Sequence, residues 1–272
     1  MDFCCPVCGS PLTLSENLIK RCASGHSFDR ARAGYYNLLL GAGAGTHGDN
    51  REMVEARRAF LSAGHYKPLA DRVCQAVLRA LPCGGSLLDL GAGEGYYTDA
   101  VENALYERDG KSNILALDIS KDAIKYLARR NGRVSAAVAS SYSVPLSSES
   151  VDAVTAIFAP LAREEILRVL KPSGHFIMVF PDVMHLYGLK AAIYDTPYKN
   201  KPEPTELSGF KLVSDEAVGY ELCLSEREDI KNLFMMTPYA YRTSAEGRER
   251  VLSLSSLTTE VAFRILDYEK LD

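Results

Sequence analysis

The chain has 272 residues, 47% of them apolar and 24% charged, which is the balance of a soluble globular protein with room for one large domain and a small appendage. A net charge of −4 excludes a molecule that holds nucleic acid by bulk attraction, although residues 1–67 carry eight Lys/Arg against six Asp/Glu and so permit an RNA-facing N-terminal part. No apolar run approaches the ~20 residues needed to cross a bilayer, and Met1-Asp2-Phe3-Cys4-Cys5 has neither a basic nor an apolar leader pattern, so the expected setting is the cytoplasm, with no membrane contact.

The first 40 residues read as a separate unit. The chain has seven cysteines, and four of them fall within the first 22 residues. Without a secretory signal, that crowding favours thiols and metal over disulfides. Cys5-Pro6-Val7-Cys8 and Cys22-Ala23-Ser24-Gly25-His26 look like two metal knuckles, each a pair of ligands flanking a tight turn. Three thiolates and one imidazole make a closed tetrahedral set, so Cys5, Cys8, Cys22 and His26 are the expected ligands of a structural zinc. Cys4 competes with Cys5, but Cys5 gives the tighter two-residue gap to Cys8. A unit of ~40 residues buries too little to fold unaided, which makes the metal a structural necessity. Next comes Ser27-Phe28-Asp29-Arg30-Ala31-Arg32-Ala33-Gly34-Tyr35-Tyr36-Asn37-Leu38, where basic and aromatic residues interleave. It reads equally as an RNA platform and as the small unit's own core.

Gly41-Ala42-Gly43-Ala44-Gly45-Thr46-His47-Gly48 has the composition of a flexible linker, one that would let the first unit shift against the main body. Asp49 or Asn50 then caps a helix with Met53, Val54 and Phe60 on its apolar stripe. Arg57-Arg58 on that helix reads either as a phosphate-facing pair or as a solvated face. Gly64-His65-Tyr66-Lys67-Pro68-Leu69 breaks the helix before another over about 68–81, and its position just before the next strand lets Tyr66 cover a ligand.

Ser86-Leu87-Leu88-Asp89-Leu90-Gly91-Ala92-Gly93-Glu94-Gly95-Tyr96-Tyr97-Thr98 reads as a buried strand, a glycine-rich turn and the start of a helix. Glycines at Gly91, Gly93 and Gly95 let the backbone turn sharply against a ligand, while the helix points its first amides at the same spot. The dinucleotide fingerprint places its third glycine one residue later, where this chain has Tyr96. Asp118 closes the next apolar strand in the right place to accept two ribose hydroxyls. The turn from Asp89 to Gly95 together with Asp118 resembles the cofactor site of class I S-adenosylmethionine-dependent methyltransferases. A Rossmann-like domain for another nucleotide is the alternative. Strands at 86–90, 113–118, 134–138, 152–157 and 174–180 alternate with helices at about 96–106, 121–131 and 163–170, the rhythm of a doubly wound α/β sheet. Lys171-Pro172-Ser173-Gly174 reads as a helix stop and turn.

Ligands of such sheets bind beyond the carboxyl ends of the strands. Ser140, within Val138-Ala139-Ser140-Ser141-Tyr142, is placed to hold an adenine. Ile157-Phe158-Ala159-Pro160 stands where a methyl acceptor would be stacked. His185 reads either as a contact to the cofactor's carboxylate end or the substrate, or as a helix-surface residue. The polar-Pro-Pro-aromatic motif common among amino-group methyltransferases is absent from 157–160, which counts against exocyclic amines. No covalent nucleophile is evident. Methyl transfer is mostly positioning, and a ring-nitrogen acceptor adds the need for a nearby base, whose identity the residues leave open.

Together these segments resemble one family. They are the cysteine–histidine ribbon, Phe28-Asp29-Arg30-Ala31-Arg32-Ala33-Gly34-Tyr35-Tyr36-Asn37-Leu38-Leu39, Arg57-Arg58-Ala59-Phe60-Leu61-Ser62-Ala63-Gly64-His65-Tyr66, Asp89 to Thr98, Phe158-Ala159-Pro160, His185-Leu186, and Met236-Thr237-Pro238-Tyr239-Ala240. The chain resembles the bacterial large-subunit rRNA guanine-N1 methyltransferases, the group that includes tylosin-resistance enzymes. The resemblance implies a class I methyltransferase fold with a zinc-ribbon domain and an acceptor guanine in a hairpin loop of large-subunit rRNA. It further implies zinc on Cys5, Cys8, Cys22 and His26, cofactor contacts from Tyr66, Gly93, Glu94 and His185, and a homodimer whose zinc domains line an RNA cleft. The expected division is a zinc-binding RNA-recognition domain over 1–40, a linker with N-terminal helices over 41–85, and a methyltransferase domain over 86–272. The chain departs from its relatives at Ala92, where some carry cysteine, and at Tyr239 and Tyr241, where they carry phenylalanine and tryptophan. A small-molecule methyltransferase, such as one acting on a quinone precursor, seldom needs a zinc ribbon. A non-catalytic RNA- or ribosome-binding protein that keeps the cofactor fold is the remaining alternative.

Overall fold

A computed structural model describes residues 2–15, 17–41, 49–108 and 110–271. Apart from Gly41, the expected linker lies outside the described residues. The N-terminal unit is a three-stranded antiparallel sheet of β1 (Thr13–Leu14), β2 (Lys20–Arg21) and β3 (Ser27–Phe28). β4 (Tyr36–Asn37) then leaves that unit and pairs in parallel at one edge of the main sheet.

Two helices follow, α1 (Arg51–Ser62) and α2 (Lys67–Ala80). Asn50 caps α1, its side-chain oxygen accepting from the Met53 amide at 2.9 Å. The alternation expected from the sequence then appears: β5 (Ser86–Leu90), α3 (Tyr96–Arg108), β6 (Asn113–Asp118), α4 (Lys121–Arg130), β7 (Ser135–Val138), β8 (Val151–Ile157), α5 (Arg163–Val169) and β9 (Leu170–Pro181). Lys171-Pro172-Ser173-Gly174 lies inside β9 as an irregularity: Val151 pairs with Leu170 but Ala153 pairs with His175, and Ser173 takes the left-handed conformation (φ 56°). The chain closes with α6 (Tyr187–Ile193), β10 (Phe210–Leu224), α7 (Arg227–Met235), α8 (Ala245–Ser253) and β11 (Leu257–Lys270).

The main sheet runs β10-β11-β9-β8-β5-β6-β7-β4. Strands β4 to β9 are parallel where they pair, and β11 and β10 close the other edge antiparallel. The order reverses at β5, between β6 and β8, so the crevice for a ligand opens at the carboxyl end of β5.

The two sheet faces are covered differently. Leu87, Ile114, Ala136, Ala153 and Ile177 pack under the helices, with Phe60, Val73, Leu105, Leu127 and Phe234 among their partners. On the opposite face, Leu88, Leu115, Val154 and Phe176 share a core with Phe3, Leu12, Tyr36 and Leu38 of the N-terminal unit. No helix joins β7 to β8; the unit lies there instead, with Cys4 N–H donating to Pro145 O at 2.7 Å and Leu38 N–H to Val138 O at 2.9 Å. It is thus fastened to the sheet before the glycine-rich segment begins, and any shift against the body would have to break these contacts. Tyr35 and Tyr36 are buried, and Phe28 packs against the second-face core. Tyr35 and Tyr36 are therefore not an open stacking platform, and they are not the small unit's own core either: Tyr35 belongs to the helix-side core with Phe60 and Leu127, and Tyr36 to the core shared with Leu88 and Leu115 of the sheet. Among the described residues, no helix is long and apolar enough to cross a membrane.

Candidate active site and zinc centre

Cys5, Cys8, Cys22 and His26 bring one ligand atom each to within 4.8 Å of one another. The first knuckle is turned by Gly9 N–H donating to Cys5 O (2.8 Å), the second by Gly25 N–H donating to Cys22 O (3.0 Å). Cys8 Sγ lies 3.6 Å from Cys22 Sγ, and Cys22 Sγ 3.3 Å from His26 Nδ1. A tetrahedral zinc with bonds of about 2.3 Å to sulfur and 2.0 Å to nitrogen has edges of about 3.5–3.8 Å, so the donor set fits a closed structural zinc site. Cys4 stands outside it, its Sγ 3.3 Å from Ser147 Oγ.

At the carboxyl end of β5 the glycine-rich turn borders a cavity of about 1530 Å³. Gly91, Gly93 and Glu94 line it, together with Asp118, Ser140, Tyr66 and His185. Gly93 has φ +57°, and a Cβ there would meet only the Arg57 guanidinium at 3.9 Å, so the open face of the turn looks into the cavity. Asp118 holds the turn from the side. Its carboxylate accepts from Gly93 N–H at 2.9 Å and Ser120 N–H at 2.7 Å, leaving lone pairs toward the cavity, while burial pushes the carboxyl above its ordinary value.

Two expected residues stand behind the wall. Asp89 is buried beneath the turn, its oxygens accepting from Thr98 Oγ1 at 2.6 Å and Thr155 Oγ1 at 2.8 Å, and burial pushes its pKa up to about 6. Gly95 faces α4: a Cβ there would lie 2.7 Å from Leu127 Cγ, so glycine is required for helix packing. Both shape the site without lining it.

Several polar groups in the wall lack partners. The hydroxyls of Tyr66 and Tyr97, and Oε1 of Glu94, are buried with no hydrogen bond among the described residues. Glu94 Oε2 is paired with Arg130 at 2.7 Å. Buried polar atoms ordinarily find partners, so three orphans around one cavity fit a polar ligand such as S-adenosylmethionine. His185 is buried against Phe263 (ring centroids 4.5 Å) and accepts the Ala262 N–H on Nδ1 at 3.3 Å. Burial lowers its pKa to about 3, so the ring is neutral and carries its proton on Nε2.

Farther along the cavity are Phe158, Ala159, Pro160 and Leu161 after β8, Phe180 and Pro181 after β9, and Glu206 and Leu207. Phe158 is 43% exposed, adopts φ 55°, and sits 6.2 Å from Tyr97 and 5.3 Å from Phe263. The expected Arg57–Arg58 pair divides. Arg57 turns into the cavity, paired with Asp49 and reaching Met236 O at 3.4 Å, whereas Arg58 lies over the Tyr126 ring at 4.9 Å. Sequence reasoning missed Asp49, Tyr97, Phe263 and Arg130 at the site. Tyr97 lies two residues after Gly95 and was visible as a candidate. Phe263 sits on a strand that the apolar pattern did not mark.

A zinc-ribbon family model described as RlmA, N-terminal matches residues 3–40, and one described as Methyltransferase domain matches residues 88–178. The strand order, the glycine turn with Asp118 and the four-ligand cluster define a class I S-adenosylmethionine-dependent methyltransferase fold carrying a zinc ribbon. A protein of Micromonospora griseorubida bearing the name 23S rRNA (guanine-N(1)-)-methyltransferase is 35% identical over 97% of this chain and 96% of its own length. The 23S rRNA (guanine(748)-N(1))-methyltransferase of Streptomyces fradiae is 37% identical over 70% of this chain and 66% of its own. YxjB of Bacillus subtilis strain 168 is 31% identical over 97% and 95%. The chain belongs to the 23S rRNA (guanine-N1) methyltransferase family.

Proposed function

We propose that this protein methylates N1 of a guanine in a hairpin loop of large-subunit ribosomal RNA, with S-adenosylmethionine as donor. The observation that carries the reading is one cavity of about 1530 Å³ whose wall includes Asp118 and Gly93 as well as Phe158 and Leu207. Small-ligand pockets usually measure about 300–1,000 Å³, so this one has room for a cofactor and a flipped base end to end. The relatives that match over nearly the whole chain are named for the same transfer.

When bound, S-adenosylmethionine supplies a methyl carbon already activated on sulfonium. The chain's own residues position and exclude. Asp118 accepts the ribose hydroxyls beside Gly93, and Ser140 edges the adenine. The Tyr66 hydroxyl, Glu94 and the His185 Nε2–H serve the methionyl end, while Asp89 and Gly95 fix the turn from behind. Phe158 stacks the acceptor base where it meets the donor, and near-attack geometry supplies most of the rate. Cys5, Cys8, Cys22 and His26 hold zinc and so stiffen residues 1–40, which present the RNA to the catalytic body. That body comprises residues 86–272 and the helices of 41–85. The reading includes a cytoplasmic homodimer, the assembly implied by the family resemblance; a sedimentation mass near that of one chain would remove it.

An N1 methyl group blocks base pairing, so reverse transcription of rRNA from a strain lacking this protein tests the reaction. Loss of one strong stop at a hairpin-loop guanine, restored by the gene, is the expected result. An unchanged stop pattern would remove the proposal.

A further inference from the structure

A neutral guanine carries a proton on N1, and its lone pair becomes available to carbon only as that proton leaves. The cavity wall offers five carboxylates, Asp49, Glu94, Asp118, Glu203 and Glu206. Three are committed: Asp49 to Arg57, Glu94 to Arg130 through Oε2 and, by the assignment above, to the donor's methionyl end through Oε1, and Asp118 to the amides of Gly93 and Ser120. Other wall groups are unsuited as bases. His185 has its Nδ1 lone pair taken by the Ala262 amide, and burial keeps Tyr66, Tyr97 and Tyr239 protonated.

Glu203 and Glu206 are exposed and have no ion pair or hydrogen bond among the described residues. They differ in how their backbone is held. Thr205 O accepts from Tyr268 Oη at 2.8 Å, and Tyr268 is itself buried and part of the wall. Leu207 packs against the second-face core, and its carbonyl accepts from Phe210 N–H at 3.1 Å. Glu206 is therefore clamped on both sides. Glu203 lies between Pro202 and Pro204, outside that clamp.

We propose that Glu206 is the catalytic base that takes the N1 proton during methyl transfer. This rests on the guanine-N1 reading above and names the residue that reading lacks. The proton passes from N1 to a Glu206 carboxylate oxygen, and the freed N1 pair forms the bond to the methyl carbon. The pair of the broken carbon–sulfur bond stays with sulfur, which leaves neutral. The Glu206 carboxyl, open to solvent, then gives its proton to water.

The test is methylation of an rRNA hairpin by the full-length wild type and the variants Glu206→Gln, Glu206→Asp and Glu203→Gln, from neutral to alkaline pH. Loss of a general base costs about 10²–10⁴-fold, so Glu206→Gln should lose kcat on that scale with unchanged KM for RNA. Its rate should climb steeply as pH approaches the ionisation of guanine N1, since a pre-ionised base needs no acceptor. Glu206→Asp should keep much of the activity and Glu203→Gln nearly all of it. A Glu206→Gln variant with wild-type kcat, or one impaired through KM alone without alkaline recovery, overturns the proposal. A wild type that binds donor yet leaves the guanine unmethylated overturns the functional reading itself, and this proposal with it.

Discussion

Replacing Asp118 by alanine probes the cofactor half of the cavity. The carboxylate accepts from Gly93 N–H at 2.9 Å and Ser120 N–H at 2.7 Å, and its remaining lone pairs are those assigned to the ribose. A hydrogen bond to a charged group contributes about 1.5–3 kcal/mol. At about 1.4 kcal/mol per decade, cofactor affinity should fall about 10- to 150-fold. The two amides lose their acceptor in the same change. They sit at the cavity wall, where water can replace it, so folding should lose only about 1–2 kcal/mol. That corresponds to a fall in melting temperature of a few degrees, at about 2–4 °C per kcal/mol for a chain this size. Calorimetric titration with adenosylhomocysteine, run beside thermal unfolding, separates the two effects. A folded variant that binds within about twofold of wild type would refute the ribose assignment.

Metal analysis should find about one zinc per chain, and a chelator strong enough to remove it should also lower the melting temperature of the whole protein, because Phe3, Leu12 and Leu38 share a core with Leu88 and Leu115; no zinc, or no effect on the main unfolding transition, would contradict this. His185 is held near pKa 3 by burial against an ordinary 6.5, so the unfolded chain takes up the proton first. Its contribution to stability is full above pH 6.5 and is lost as pH falls toward 3, at up to about 1.4 kcal/mol per pH unit. His185→Gln should flatten that part of the stability profile, and an unchanged acid slope would count against a buried neutral imidazole. Phe158→Ala should remove a base stack of about 1–3 kcal/mol, raising KM for RNA while leaving adenosylhomocysteine affinity intact; an unchanged KM would remove Phe158 from the acceptor site.

The central sheet was legible because parallel strands buried on both faces leave short continuous apolar runs, as in Ser86–Leu90 and Asn113–Asp118. The antiparallel pair β10 and β11 was not. Phe210–Leu224 is mostly exposed or half-buried, with Phe210, Val218, Leu222 and Leu224 its buried residues, and it carries Lys211, Asp215, Glu216 and Glu221, so no apolar run marks it. That omission hid Phe263, and with it the surroundings of His185. The zinc ligands could be read from spacing alone, since four donors at fixed intervals have few other uses. Docking of the N-terminal unit could not, because a two-residue edge strand, Tyr36–Asn37, leaves no periodic trace. Asp89 shows the limit of motif reading: it stands in the strand where a cofactor contact is expected, yet its hydroxyl partners Thr98 and Thr155 are 9 and 66 residues away. Which way Arg57 turns depended likewise on Asp49 and Met236, contacts no local pattern reveals.

The central claim is that donor and guanine meet in one cavity between Gly93 and Phe158. It is tested most directly by incubating purified protein with methyl-labelled S-adenosylmethionine and a large-subunit rRNA hairpin, then digesting the RNA to nucleosides. Label should appear in 1-methylguanosine and fall sharply with Asp118→Ala. Label in another nucleoside, or none despite bound donor, would contradict the account.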